Sequence, residues 1–143
     1  GPTDEVYGFE PDAVHHALAR SDYVVVACPL ADVTRELLGG AEFATMPPNA
    51  VVVNAARGGV IDTDALVAAL QSGAIRGAAL DVTDPEPLPG DHPLWTLENC
   101  LITPHTGGHT PKYWDRLADI VAENVDRLDA GTSLVNEVDA PTE

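Results

Sequence analysis

The sequence predicts an α/β protein, a parallel sheet with crossover helices, and three observations lead there. The apolar segments are β-branched runs without polar alternation, as in YVVVACPL (23–30) and NAVVVNAARGG (49–59), the pattern of strands covered on both faces. Segments of helical periodicity lie between them. Each run stops at proline, glycine or a polar residue, where open parallel sheets carry their binding loops.

In chain order, PDAVHHALAR (11–20) reads as a helix, with Pro11 in the first turn and an apolar stripe of Val14, Ala17 and Leu18. Strand 23–30 follows, then strand 49–59, which ends in Arg57 and two glycines. DTDALVAALQSG (62–73) is a helix capped by Asp62 and stopped by Gly73. GAALDV (77–82) and CLIT (100–103) are the third and fourth strands, joined by the long proline-rich stretch TDPEPLPGDHP (83–93). Residues 110–130 form an amphipathic helix with Leu117, Ile120, Val121, Asn124, Val125 and Leu128 on one face. The closing AGTSLVNEVDAPTE (130–143) reads as a tail or an exit towards another domain.

The chain has 143 residues, 45% of them hydrophobic, enough for one domain with a sizeable core. Seven basic against 23 acidic residues give a formal charge of −16, which argues against nucleic-acid and anionic-membrane partners. Cys28 and Cys100 lie far apart in sequence and read as small buried thiols in a reducing compartment. No apolar run approaches the roughly 20 residues of a membrane span, so the chain reads as cytoplasmic. His15, His16, His92 and His109 show no ligand spacing, and no metal is expected. Trp95 and Trp114 read as packing residues.

The strand ends carry the candidate chemistry. Cys28-Pro29, Asn54 to Gly58, Asp81 and Pro104-His105 each follow a strand, so four polar, proline or glycine ends converge on one crevice. Arg57, one of seven basic residues, is either a bidentate clamp for a carboxylate or a partner for one of the many acids. Glu86 stands between prolines in DPEP, either as a loop glutamate or as the carboxylate that orients His105. His105 is either a turn histidine or, with such a partner, a general acid near neutral pH. Together the three suit reduction of a carbonyl beside a carboxylate, or the reverse, with a cofactor supplying the hydride.

NAARGGVIDTDALVAALQSGAIRGAALDVTDPEPLP, then HPLW, then TPHTGG, resembles the D-isomer-specific 2-hydroxyacid dehydrogenases over roughly residues 11–138. The family includes glyoxylate/hydroxypyruvate reductases, D-lactate dehydrogenases and 3-phosphoglycerate dehydrogenases. The resemblance implies a catalytic trio of Arg57, Glu86 and His105: substrate carboxylate clamp, orienting carboxylate and proton carrier. It implies NAD or NADP as cofactor, contacted by Cys28, Pro29, Thr34, Ala55, Ala56, Arg57, Asp81 (at the carboxamide), His105, Thr106, Gly107 and Gly108. It also implies a small 2-oxoacid or 2-hydroxyacid substrate and a homodimer.

The fingerprint G-x-G-x-x-G does not occur in the 143 residues. The resemblance therefore implies a partial Rossmann-type sheet lacking the first βαβ unit. Residues 1–130 would be the C-terminal portion of a dinucleotide-binding domain, and 131–143 a tail leading towards a substrate domain. HTPKYW (109–114) is bulkier than the small residues expected after the glycine pair. Competing implications are a dinucleotide-sensing interaction protein, like the transcriptional corepressors built on this fold, or a fragment inactive on its own.

Overall fold

A computed structural model of the chain describes residues 5–137. These form two compact units that part between residues 107 and 108, inside the span expected to be one domain portion.

The first unit is a four-stranded parallel sheet in the order β1-β2-β3-β4: β1 Tyr23–Val26, β2 Val51–Asn54, β3 Gly77–Leu80 and β4 Cys100–Ile102. Its helices are α1 (Pro11–Leu18), α2 (Gly40–Thr45) and α3 (Thr63–Ser72), with 3-10 turns at Gly58–Val60 and Pro93–Thr96. α3 is bounded as its sequence dictates. The Asp62 carboxylate accepts from the Ala65 amide at 3.0 Å, and Gly73 ends the helix in the left-handed region at φ 71°. α2 lies where no helix was expected. It is only 6 residues long, too short for a periodic signal, and the Glu42 carboxylate accepts from the Gly39 amide at 3.0 Å to open it.

The core lies on one face of the sheet. Val24, Val52, Ala78 and Cys100 form one cross-strand row, and Val26, Asn54, Leu80 and Ile102 the next. The apolar members of both rows cluster with Leu18 of α1, Phe43 of α2 and Leu66 and Leu70 of α3. The expectation of strands covered on both faces is corrected here: Val25 is 63% and Leu101 62% exposed on the opposite face. The sheet grows in one direction along the chain, and right-handed crossovers then place every connecting helix on the same side. Side chains alternate between faces, so half of each β-branched run points away from those helices.

α1 is fastened to α2 by His15, whose Nδ1 lies 2.7 Å from the Thr45 hydroxyl and whose Nε2 lies 3.2 Å from Glu42. The two tryptophans read as packing residues lie at the surface, Trp95 51% and Trp114 69% exposed. The Trp95 indole N–H donates to the Pro89 carbonyl at 2.8 Å, and Trp114 meets Tyr113 edge to face.

Both cysteines are free and half-buried rather than fully buried. Burial pushes the Cys100 thiol from 9.0 up to about 11. Because the thiolate is the nucleophile, alkylation of Cys100 near pH 8 is expected to run about a hundredfold slower in the folded chain than in urea. Mass spectrometry of iodoacetamide-treated protein checks this.

The second unit holds α4 (Tyr113–Asp129), none of whose side chains is buried. The stretch expected as a tail folds back on this helix. The Asn124 amide group donates to the Val135 carbonyl at 3.2 Å and accepts from its N–H at 2.8 Å. Arg127 reaches the Ser133 carbonyl at 2.9 Å and Glu123 at 2.7 Å. Asn124 thus serves as a tie rather than as a member of an apolar stripe. Residues 138–143 of the expected tail lie outside the described residues.

Candidate active site

The sheet ladder continues one residue past β2, β3 and β4. Ala55 N–H donates to the Val26 carbonyl at 3.3 Å, Asp81 to Asn54 at 2.9 Å and Thr103 to Leu80 at 2.9 Å. The strands therefore end level, and the candidate residues hang from that rim.

Asn54 is 1% exposed and satisfies both ends of its amide within the next turn. It donates to the Arg57 carbonyl at 2.9 Å and accepts from the Ala56 N–H at 3.1 Å. A buried amide with both partners in place fixes the backbone that carries Arg57. Arg57 itself is exposed, donates to the Ala56 carbonyl at 2.7 Å, and pairs with no carboxylate among the described residues. Of its two readings, the acid-paired one finds no partner there. Gly58 then lies directly against the Thr83 carbonyl, while the Thr63 hydroxyl donates to the Asp84 carbonyl at 2.9 Å. These contacts set the arginine turn beside the proline-rich loop.

That loop delivers Glu86 to His105. The imidazole Nδ1 lies 2.8 Å from Glu86 Oε1, both side chains being about half exposed. With Nδ1–H donated to the carboxylate, Nε2 is the nitrogen left to exchange a proton. His105 sits at φ 54°, the left-handed region that a β-carbon makes costly. The neighbouring Asp81 carboxylate accepts from the Thr103 hydroxyl at 2.6 Å, the Thr106 N–H at 3.1 Å and the Gly107 N–H at 2.7 Å. The Thr103 hydroxyl foremost, then the Gly107 amide, hold this carboxyl below its ordinary 3.8.

Cys28, Pro29, Ala55, Ala56 and Arg57 line one open crevice of about 610 Å³ over the ends of β1 and β2, together with Ala27 and Leu30. Asp81 and Glu86 line a second hollow of about 420 Å³, whose walls include Leu88, Trp95, Ile102 and Pro104. Thr34 acts from beneath: it is buried, and its hydroxyl donates to the Pro29 carbonyl at 2.7 Å and accepts from the Ala31 N–H at 2.8 Å. Thr106 and Gly107 are tied to Asp81 through their amides, and Gly108 opens the second unit. Asn54 is expected only as a strand-end residue of the crevice, with no role assigned, and Thr103 only as the last residue of a strand. Their one sequence signal is a polar residue closing a run of valines or of leucine and isoleucine.

Residues 2–107 match the family described as D-isomer specific 2-hydroxyacid dehydrogenase, NAD binding domain. Human glyoxylate reductase/hydroxypyruvate reductase is 46% identical over 107 residues, which are 75% of this chain and 33% of that protein. The D-3-phosphoglycerate dehydrogenase of Methanocaldococcus jannaschii is 42% identical over 130 residues, 91% of this chain and 25% of that protein. A crystal structure of a D-isomer specific 2-hydroxyacid dehydrogenase from Xanthobacter autotrophicus Py2, in complex with NADPH and MES, superposes with a TM-score of 0.77 at 42% identity, covering 90% of this chain and 52% of that one. The chain thus spans a quarter to a third of the length of the two curated relatives and about half of the crystallised one.

Proposed function

Because the chain belongs to the D-isomer-specific 2-hydroxyacid dehydrogenase family, we propose that it forms part of an oxidoreductase that interconverts a small 2-oxoacid and its 2-hydroxyacid with NAD or NADP. The observation that carries the proposal is the Glu86–His105 pair at 2.8 Å, on the same rim as an arginine with no acidic partner among the described residues.

The crevice over Ala27–Leu30 and Ala55–Arg57 supports a nicotinamide cofactor. Its floor is built of small side chains, and about 610 Å³ is within the range of ligand pockets. Bound NADH or NADPH supplies the hydride. The residues of the chain supply the rest. Arg57 holds the substrate carboxylate with two parallel hydrogen bonds and draws electron density from the neighbouring carbonyl. His105 Nε2 gives its proton to the carbonyl oxygen as the carbon is reduced, and takes it back in the oxidation. Glu86 accepts from Nδ1–H and stabilises the charged ring. Asn54 and Thr34 keep the two cofactor loops in place. Two free thiols support a cytoplasmic setting for this enzyme, and a homodimer belongs to the same reading.

Calorimetric titration of NADH, and separately NADPH, tests the proposal, followed by oxamate, an amide isostere of a small 2-oxoacid. Dinucleotide binding is expected, with oxamate binding tighter in its presence and Arg57→Ala losing the oxamate response alone. Dinucleotide binding without any oxamate response would instead fit a sensing protein. A folded chain that takes up neither dinucleotide would overturn the reading for this chain.

A further inference from the structure

Asp81 is expected to meet the cofactor carboxamide, yet most of its acceptor capacity is spent elsewhere. Oδ1 receives the Thr103 hydroxyl and the Thr106 N–H, and Oδ2 receives the Gly107 N–H. These donors flank His105 on both sides. One donor precedes the histidine by two residues, and the others follow it by one and two.

His105 itself needs holding. It is not glycine, it lies at φ 54°, and strained residues of this kind persist where their surroundings over-determine them. Its own N–H closes only onto the Thr103 carbonyl at 3.0 Å. The same closeness shows at Gly107: a β-carbon there would stand 2.8 Å from Asp81 Oδ2, so the carboxylate would have to shift to admit a side chain.

We propose that Asp81 is a positioning residue whose single carboxylate staples the 103–107 turn shut around His105 and so sets where the imidazole meets Glu86. The importance of that placement rests on the dehydrogenase reading; the staple itself does not. The anionic form makes the staple, because a carboxylate accepts at both oxygens while a protonated acid gives up acceptor capacity. A group whose folded-state pKa is depressed contributes above its ordinary value and loses that contribution as the pH falls through the folded one. The staple therefore stays shut from neutral pH down to its ordinary 3.8 and opens below its depressed value. The charged groups around it are His105, whose positive form favours the anion, and Glu86, already engaged by the ring.

Nitrogen-15 NMR of the whole chain without ligands tests the proposal. In the wild type the Gly107 amide is expected downfield and slow to exchange, with a resolved His105 Hδ1 signal from the bond to Glu86. Asp81→Asn should speed exchange at Gly107 about tenfold or more and erase the Hδ1 signal. Thr103→Val should weaken both signatures and Thr103→Ser restore them, a split that mere loss of packing would not produce. A folded Asp81→Asn chain with both signatures intact overturns the proposal. If that variant does not fold, an unchanged His105 signal in Thr103→Val overturns it equally. No dinucleotide is needed, so a missing staple counts against Asp81 alone, and failed NADH uptake by a stapled chain counts against the dehydrogenase reading alone.

Discussion

Gly58→Ala is expected to destabilise the chain by about 3 kcal/mol or more, the upper range for overpacking. The new methyl group would overlap the Thr83 carbonyl and crowd the Asp84 nitrogen. Both are backbone, on a loop already held by the Thr63 bond to the Asp84 carbonyl, so no side chain can swing aside. The alternative is for the two loops to separate, which pulls the Arg57 turn away from the segment that carries Glu86. Urea unfolding should show a lower midpoint at an unchanged slope. Gly40→Ala is the control: it opens α2, with nothing within 4 Å of its would-be methyl group. That substitution should leave stability unchanged or raise it by up to about 1 kcal/mol.

On the proposed dehydrogenase reading, replacing His105 with glutamine is expected to slow hydride transfer to a 2-oxoacid by roughly 10²–10⁴-fold, the usual range for a lost general acid–base. Dinucleotide affinity should change far less than the rate, because His105 is one of several expected contacts and does not line the crevice of about 610 Å³ over residues 27–30 and 55–57. Glutamine keeps a hydrogen-bonding amide beside Glu86 but has no proton to give at neutral pH. Single-turnover loss of NADH fluorescence measures the step, and the titration described above measures binding. A variant that turns over at the wild-type rate would remove His105 from the mechanism and leave Glu86 as the partner of a turn histidine.

Both predictions rest on residues whose type was visible in the sequence but whose neighbours were not. The parallel sheet was legible because β-branched runs and helical periods alternate, and α3 was legible to the residue because Asp62 and Gly73 act within their own turn. From the residues alone the Glu86–His105 pair was one of two readings, and the family resemblance was needed to choose it, since 19 residues separate them and a proline-rich loop brings them together. The contact of Gly58 with Thr83 has no local signal, because a glycine required by distant backbone looks like any other. α2 was missed for want of length, and cover on both sheet faces was over-read because a run of valines does not say which half of it meets the helices.

The level rim of the sheet bears on how such a protein can change over time. Paired residues Val26, Asn54, Leu80 and Ile102 stand in a single row, and each chain segment leaves the sheet just beyond it. A loop lengthened or exchanged at one of these exits alters its own reach while the others keep their height. Selection, or an engineer grafting a loop from a relative, can therefore revise one wall of the pocket at a time upon an unchanged chassis.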